Sequence, residues 1–256
     1  MKKESSLKRV RIKKGIYVLP NLITTASLFT GFYSIIASLR ENFVFAAIAV
    51  LVAAVFDGLD GRIARVTKTT SKFGAEYDSL SDVIVFGVAP AFLAYNWALS
   101  FYGRWGWIVA FLFVLCGALR LARYNIQIGI IDSKAFNGLP IPSAAAVVAT
   151  TVLFFDYAGV EGKFHDPSML VFIPVLSVLM VSNIKYYSFK DLKLFARKPF
   201  MTFFLLVLIL IILAAIPPQI SIFVAVLGYV ISGPIWWMLK FGKQRSEKSI
   251  PPGQKE

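Results

Sequence analysis

The chain has 256 residues, of which 57% are hydrophobic and only 16% are charged. Soluble domains are about 45–50% apolar and about 25% charged, so this composition excludes an ordinary soluble enzyme and a disordered chain. The net charge is +13, but the basic residues stand in short runs between long apolar stretches, which favours a membrane protein and predicts no nucleic-acid partner.

The chain has one cysteine and one histidine, Cys116 and His165. This excludes an intramolecular disulfide and leaves little room for a Cys/His zinc site or a histidine-based triad. We expect Cys116 to be a packing residue and His165 a loop residue. Any chemistry must therefore use carboxylates, arginine, lysine, hydroxyls or the backbone.

Eight uncharged apolar stretches follow one another along the chain. In order they are Leu19–Leu39, Phe43–Phe56, Val83–Tyr102, Trp105–Leu119, Pro140–Phe155, Pro167–Ile184, Phe200–Ile216 and Ile220–Leu239. A helix needs about 20 residues to cross the hydrocarbon core, so less apolar turns must complete several of them. We expect the short second stretch to be a span whose last turns are polar for a functional reason. The fold class predicted is all-α, a polytopic membrane protein with about eight transmembrane helices.

Basic residues divide unequally between the two sides of such a bundle. If all eight stretches cross, 24 of the 27 lysines and arginines lie on one side, and only Arg40, Arg104 and Lys163 lie on the other. Because cytoplasmic loops carry an excess of Lys and Arg, both termini are predicted to be cytoplasmic, in a multi-pass protein of the cell membrane. We expect the first stretch to be retained rather than cleaved as a signal peptide.

Four of the eight aspartates fall between residues 57 and 82. Asp57 and Asp60 are three apart, and Asp78 and Asp82 are four apart, so each pair lies on one face of a helix. Four carboxylates facing one another near a membrane repel each other, and hard divalent cations with oxygen ligands relieve this. The pattern predicts a site for Mg²⁺ or Mn²⁺, with two ions. In the alternative, the acids belong to a solvated loop network with the neighbouring basic residues Arg62, Arg65, Lys68 and Lys72.

Small residues accompany these acids. Gly61 and Ala64 lie on the face of Asp57, and Gly74 stands one turn before Asp78. Glycine and alanine let a phosphate-bearing ligand reach the helix backbone, and Arg65 can offer a fork of donors to phosphate oxygens.

The combined pattern, Asp57-x2-Asp60-Gly61-x2-Ala64-Arg65-x8-Gly74-x3-Asp78-x3-Asp82, resembles without departure the signature of the CDP-alcohol phosphotransferase family. The resemblance implies a membrane enzyme that cleaves the pyrophosphate of a CDP-linked alcohol, transfers the phosphoryl group to a second alcohol and releases CMP. It implies a homodimer with a six-helix core, to which this chain adds two C-terminal helices. It also implies that the four aspartates hold the metals, with Asp82 as general base. The residues implied to lie against the CDP moiety are Asp60, Gly61, Ala64, Arg65, Gly74 and Asp78.

On this resemblance the chain divides into five parts. They are a basic interfacial segment at 1–17, the family core at 18–184, a basic cytoplasmic loop at 185–199, two additional helices within 200–240, and a basic tail at 241–256. The first segment is expected to lie on anionic lipids or only to fix topology, two readings that the sequence leaves about equal. The active site is expected at the cytoplasmic face.

Three further stretches narrow the acceptor. Residues 71–80, residues 119–125 followed by 136–142, and residues 182–192 resemble the bacterial members of the family that use CDP-diacylglycerol and L-serine. Serine carries a carboxylate, so its site should offer a cation, for which Arg120 and Arg123 are the candidates; their alternative role is topological anchoring or lipid headgroup contact. Asn125 is a weaker acceptor candidate. Asn21 is a candidate for ligand contact at the interface, or else a helix cap.

Two competing functions stay open. A related enzyme of the family could use glycerol 3-phosphate or an inositol phosphate, which would demand a denser pocket of arginine and lysine. A divalent-cation transporter could use the same acids, but it would need them near the bilayer midplane and reachable from both sides. Five aromatic residues are expected in the interfacial belts, namely Trp105, Trp107, Trp236, Trp237 and Tyr186.

Overall fold

The computed structural model describes residues 2–67, 71–127, 135–160, 162–187 and 217–248. These residues form seven helices and two short strands. The helices are α1 (Lys2–Leu39), α2 (Phe43–Val66), α3 (Lys72–Tyr102), α4 (Arg104–Gln127), α5 (Ile141–Tyr157), α6 (Met169–Val181) and α7 (Pro218–Lys248), and the strands are β1 (Ala135–Asn137) and β2 (Lys185–Tyr187).

Five of the described helices are long and apolar enough to cross a membrane. They are α1 over Leu19–Leu39, α2, α3, α4, and α7 over Pro218–Met238, while α5 and α6 are shorter apolar helices. This confirms the prediction of a mostly helical membrane protein. The predicted span Phe200–Ile216 and the basic loop from residue 188 onward lie outside the described residues.

Several described helices extend beyond the apolar stretches that predicted them, and α2 and α7 do so at their C-terminal ends. Helix α2 continues from Phe43 through the acidic turns to Val66, as expected for a span with a polar end. Helix α7 continues past Leu239 to Lys248, through residues predicted to be partly tail. No proline stands between Leu239 and Lys248 to end the helix.

The small β-ribbon was not predicted. Strands β1 and β2 pair antiparallel, with Phe136 opposite Tyr186. Gly138 follows β1 with φ of +82°, and a Cβ there would collide with the Met180 carbonyl. Only glycine adopts this conformation readily, so it allows the chain to turn from the ribbon into α5.

Helix α3 is irregular in its middle. Its first part, Lys72–Asp82, is α-helical, and π-helical segments follow at Val83–Val88 and Tyr95–Leu99. A π turn adds a residue to the helix and is often found beside functional sites. Here the first one begins directly after Asp82.

Close packing of α1 against α2 and α3 builds the core beside the acidic residues. Hydroxyls on α1 bond to carbonyls of α2, from Ser27 to Ala53 at 3.0 Å and from Ser34 to Ala46 at 2.8 Å. Small residues and hydroxyls at helix contacts allow such approach in membrane bundles.

Two loops predicted to share the side poor in basic residues do meet. Lys163 Nζ lies 2.6 Å from a carboxylate oxygen of Glu41, which joins the loop after α5 to the α1–α2 turn. His165 lies outside helices in the same loop, against the ring of Phe101.

The four tryptophans expected in the interfacial belts are exposed on the bundle, but the prediction for Tyr186 is wrong. Its side chain is only 1% exposed, and its hydroxyl donates to the Val230 carbonyl at 3.2 Å. The β-ribbon, which the sequence did not predict, turns this residue inward against α7.

Candidate active site

The two predicted pairs of aspartates face one another where α2 ends and α3 begins. One carboxylate oxygen from each of Asp57, Asp60 and Asp78 lies within 4.8 Å of the others. Asp82 lies one turn beyond Asp78, and its carboxyl group is close enough to that of Asp57 for the two to interact. We call these four residues the aspartate cluster. Spacing placed each pair on one helix face, and the packing of α2 with α3 brings the faces together.

Local sequence fixes the start of α3 relative to the cluster. Ser71 caps the helix in an extended conformation, and its hydroxyl accepts a hydrogen bond from the Gly74 amide at 2.9 Å. Serine is a preferred N-cap because it satisfies an otherwise unpaired amide of the first turn. The cap therefore sets where Asp78 and Asp82 project.

Ion pairs with basic side chains do not balance the charge of the cluster among the described residues. No described arginine or lysine forms an ion pair with any of its four members. Arg65 instead donates from Nε to the Gly61 carbonyl at 2.8 Å, back along its own helix. Among the described residues, the loop network of acids paired with neighbouring basic residues is therefore not formed.

Two observations fit the cluster to a divalent cation. The Oδ1 atom of Asp78 is buried without a hydrogen-bond partner, which ordinarily costs about 1–3 kcal/mol. The gathered atoms are all carboxylate oxygens, the donors that Mg²⁺ and Mn²⁺ prefer. The acidic group can therefore hold a divalent metal ion.

A cavity of about 190 Å³ opens beside the cluster, between α1, the end of α2 and the start of α3. It is lined by Pro20, Asn21, Thr24, Asp60, Gly61, Ala64, Ser71, Gly74, Ala75 and Asp78. Five of the six residues assigned to the CDP moiety line this cavity, and Arg65 stands outside its lining. The cavity walls are mostly small residues, so the space is open to a ligand that approaches the backbone.

Glycines keep the cavity open in two ways. A Cβ on Gly61 would meet no atom within 4 Å, so this position faces free space. A Cβ on Gly74 would lie 3.1 Å from Ser71 Oγ and 3.2 Å from Asn21 Oδ1. Asn21 is thus a lining residue, and its alternative role as a helix cap is wrong because α1 begins at Lys2, far upstream.

Thr24 is a site residue that sequence reasoning missed. Its side chain is buried, and its hydroxyl donates to Asp60 Oδ2 at 2.7 Å and also approaches the Pro20 carbonyl at 3.1 Å. It follows Asn21 by three residues, the spacing that places two side chains on one helix face. The three-residue spacing from Asn21 is the feature of the sequence that could have identified Thr24 as a site residue.

The structure separates the two candidate arginines. Arg120 is only 8% exposed, its Nε has no partner, and its strongest electrostatic attraction is to Asp82. Arg123 donates to the carbonyls of Val181 at 2.9 Å and Ser182 at 3.2 Å, so it fastens the segment after α6. Arg120 is therefore buried and attracted to Asp82, whereas Arg123 binds the end of α6.

Asn125 lies near the cluster but has a partner on α3. Its Nδ2 donates to the Ser79 hydroxyl at 3.0 Å, on the turn between Asp78 and Asp82. This contact ties the end of α4 to the acidic part of α3.

A protein-family model, CDP-alcohol phosphatidyltransferase, matches residues 17–181. The chain belongs to the CDP-alcohol phosphatidyltransferase family. The matched region runs from α1 to the end of α6 and contains the aspartate cluster and its cavity, while β2 and α7 lie beyond it.

Curated relatives cover most of the chain. It is 45% identical over 224 residues to a CDP-diacylglycerol–serine O-phosphatidyltransferase of Helicobacter pylori, an alignment that spans 87% of this chain and 92% of the relative. It is 41% identical over 171 residues to an archaetidylserine synthase of Methanothermobacter thermautotrophicus, spanning 66% and 69% of the two chains. It is 35% identical over 196 residues to a CDP-diacylglycerol–serine O-phosphatidyltransferase of Saccharomyces cerevisiae, spanning 69% and 70%.

Proposed function

We propose that this chain is a CDP-diacylglycerol–serine O-phosphatidyltransferase of the cell membrane, active as a homodimer with its site at the cytoplasmic face. It transfers the phosphatidyl group of CDP-diacylglycerol to the hydroxyl of L-serine and releases CMP. One observation carries the proposal: an aspartate cluster borders a cavity lined mostly by small residues. The relatives' names support the acceptor, since they differ in the lipid but share serine.

The cavity is the proposed donor site. Gly61, Ala64 and Gly74 present little more than backbone, which lets the nucleotide and its pyrophosphate lie against α2 and α3. Arg65 is exposed at the end of α2, and exchanging its bond to the Gly61 carbonyl for a phosphate oxygen would give a stronger, charge-assisted bond.

The aspartate cluster is the proposed metal site. Asp57, Asp60 and Asp78 would hold Mg²⁺ or Mn²⁺, as two ions together with Asp82. Divalent cations bound there neutralise pyrophosphate charge and stabilise the leaving CMP. Thr24 donates to one oxygen of Asp60 and so would help to hold this carboxylate in a fixed orientation.

Asp82 is the proposed general base. The serine hydroxyl oxygen attacks the phosphorus of the phosphatidyl group, the bond from that phosphorus to the CMP oxygen breaks, and Asp82 takes the hydroxyl proton. A covalent phosphatidyl-enzyme is less well supported. The lining hydroxyls, those of Thr24 and Ser71, are engaged with Asp60 and with the Gly74 amide.

Arg120 is the proposed ligand for the serine carboxylate. Its guanidinium is buried and attracted to Asp82, so it would supply a positive charge near the proposed base, and its unpaired Nε would supply a donor. A phosphorylated acceptor such as glycerol 3-phosphate or an inositol phosphate would need more cations. Arg123 is occupied by two backbone carbonyls, so it contributes little to such a pocket.

The transporter alternative is weaker still. Asp57 and Asp60 lie in the last turns of α2 and Asp78 lies near the start of α3, at one end of both helices. A conduction site would need acids at the middle of the spans.

The proposal is tested by CMP release from CDP-diacylglycerol, with purified full-length protein in detergent and Mg²⁺ or Mn²⁺. Serine, glycerol 3-phosphate and an inositol phosphate are offered in parallel. We expect release that depends on serine alone and that is lost with EDTA. Release with another acceptor would contradict the role of Arg120 in serine binding, and no release with any acceptor or metal would reopen the transporter reading.

The role of Asp82 has its own test. Asp82→Asn should abolish turnover, by about 100-fold or more as expected for loss of a general base, while CDP-diacylglycerol binding persists. Asp166→Asn, in the exposed loop before α6, is the control and should keep full turnover. If Asp82→Asn loses donor binding together with turnover, Asp82 is chiefly a metal ligand.

A further inference from the structure

Two hydrogen bonds in sequence join α3 to the part of α1 that lines the donor cavity. The Tyr77 hydroxyl on α3 lies 2.9 Å from the Thr25 hydroxyl on α1. Thr25 Oγ1 also donates to the Asn21 carbonyl, at 2.7 Å. A threonine hydroxyl has a single proton. Because that proton goes to the Asn21 carbonyl, Tyr77 is the donor to Thr25, and the bonds run from Tyr77 through Thr25 to the backbone of Asn21.

Asn21 and Gly74 both line the donor cavity, at the place where α1 approaches α3. A Cβ on Gly74 would lie 3.2 Å from Asn21 Oδ1, which is tighter than most side-chain contacts. Thr25 stands one turn after Asn21 on α1, and Tyr77 stands one turn after Gly74 on α3. The bond between Tyr77 and Thr25 therefore joins the two helices one turn away from their contact in the cavity wall.

The backbone of α1 is weakly held by its own helix beside the cavity. Pro20 lies inside α1 and has no amide hydrogen, so the helix lacks the bond that this position would donate to the previous turn. Thr24 and Thr25 both return their hydroxyls to carbonyls of that region, at Pro20 and Asn21. This kind of bond slightly destabilises helices and often bends them. The position of Asn21 therefore depends on contacts from neighbouring helices.

The Tyr77 ring is itself held by a neighbour on α3. The ring of Phe73, one turn before it, stacks on the Tyr77 ring with centroids 6.0 Å apart and planes 9° apart. Such a pair adds to the stability of the ring's position. The stacking therefore helps to keep the Tyr77 hydroxyl at Thr25.

We propose that Tyr77, acting through Thr25, positions the Asn21 wall of the donor cavity for the CDP-linked lipid. Tyr77 does not line the cavity, so it is a positioning residue rather than a ligand. Without its hydroxyl, α1 can move relative to Gly74, and the nucleotide then fits less well between the two helices. This inference rests on the proposed function, because it assumes that the cavity binds the donor.

The test measures the KM for CDP-diacylglycerol and for serine by CMP release, with the full-length protein in detergent. Tyr77→Phe keeps the ring and removes the hydroxyl, so we expect the KM for CDP-diacylglycerol to rise about three- to tenfold. The KM for serine should stay within about twofold, because the proposed acceptor ligand is on α4. Tyr33→Phe, on an exposed part of α1, is the matched control and should change neither KM. An unchanged donor KM, or equal increases in both KM values, would overturn the proposal.

Two substitutions of Thr25 separate positioning from simple packing. Thr25→Ser keeps the hydroxyl and should keep the donor KM of the wild type, whereas Thr25→Val keeps the shape and should match Tyr77→Phe. Adding Tyr77→Phe to Thr25→Val should have little further effect, because both changes remove the same hydrogen bond. Fully additive effects, or a Thr25→Ser variant as impaired as Thr25→Val, would contradict the proposal. If Tyr77→Phe does not fold, the two Thr25 variants decide the question.

Equilibrium binding of CDP-diacylglycerol, measured with Mg²⁺ and no acceptor, keeps this inference separate from the proposed function. Weaker binding by Tyr77→Phe would support the inference whichever acceptor the enzyme uses. Equal binding by Tyr77→Phe and the wild type, together with serine-dependent CMP release by the wild type, would overturn the inference alone. Release with a phosphorylated acceptor instead of serine would overturn the proposed acceptor alone, and a wild type that does not bind the donor would overturn both.

Discussion

At the scale of single residues, the hydroxyl of Thr24 governs the geometry of the aspartate cluster. This hydroxyl donates a hydrogen bond from α1 to Asp60 Oδ2 on α2, at 2.7 Å. Partners that orient a metal ligand commonly change metal affinity by about 10- to 100-fold when they are removed. Asp60 therefore depends on a helix far from it in sequence.

Thr24→Val keeps the shape of the side chain and removes the donor. We expect the Mn²⁺ concentration that gives half-maximal CMP release to rise by about 10-fold or more, with the same maximal rate at saturating metal. Thr30→Val is the control, since that hydroxyl bonds only to carbonyls of its own helix, at Ala26 and Ser27. An unchanged metal titration for Thr24→Val would show that Asp60 is oriented without it.

Two glycines of α2 offer a matched pair for the donor cavity. A Cβ on Gly58 or on Gly61 would meet no atom within 4 Å, but only Gly61 lines the cavity. We expect Gly61→Ala to raise the KM for CDP-diacylglycerol by about 10-fold or more, the effect of one misplaced methyl group in a fitted site.

Gly58→Ala should leave that KM unchanged, and both variants should keep their thermal stability. The KM for CDP-diacylglycerol and the melting temperature are measured on both variants in parallel. If the two variants have equal KM values, the donor does not bind in the cavity beside Gly61.

At the scale of helices, the distance between α1 and α3 is set by Gly31. A Cβ there would lie 2.8 Å from Val85 Cγ2 and 3.0 Å from Val85 Cα, in the π-helical segment that follows Asp82. Either α3 must shift or the contact must open. Because Thr24 and Asp82 lie on these same two helices, the contact also maintains the site.

Gly31→Ala should destabilise the protein by about 1–3 kcal/mol, the usual cost of overpacking. Unfolding can be followed in detergent with a thiol-reactive dye, because the single cysteine, Cys116, is buried until the bundle opens. Gly228→Ala, on α7 with no atom near its Cβ, should melt like the wild type. If Gly31→Ala melts at the same temperature as the control, α3 can move away from the added methyl group without loss of stability.

The apolar pattern predicted the helices well and their contacts poorly. The polar end of α2 was expected, because aspartates such as Asp57 and Asp60 are costly in a membrane span unless they have a function. The π segments of α3 and the β-ribbon were not expected, since neither has a periodicity that distinguishes it in one sequence. Tyr186 was misplaced for this reason.

At the scale of the whole molecule, the asymmetry of basic residues predicts the orientation. The ion pair of Glu41 with Lys163 shows that two loops assigned to the same side meet there. The aspartate cluster lies toward the opposite end of α2 from Glu41, which is the end predicted to face the side rich in basic residues. A water-soluble acceptor and a released nucleotide would then both be exchanged with the cytoplasm.

Orientation can be read with cysteines introduced singly into a Cys116→Ala background. Arg104→Cys, at the exposed start of α4, should react with a membrane-impermeant maleimide in intact cells. Arg62→Cys, exposed beside the cluster, should react only after permeabilisation. Labelling of Arg62→Cys in intact cells would show that the topology is the reverse of the predicted one. The site would then not lie at the cytoplasmic face.

The membrane class, the pairing of aspartates on helix faces and the family could all be predicted from the sequence alone, because hydrophobic period and residue spacing are local properties. The packing of the described helices and strands was needed to show that Thr24 reaches Asp60, that Arg123 binds the end of α6, and that Tyr186 is buried against α7. Those relations join residues distant in the chain, and they follow from which helix faces pack together. Contacts between distant residues leave no periodic pattern in a single sequence. They can therefore be seen only in the packed bundle.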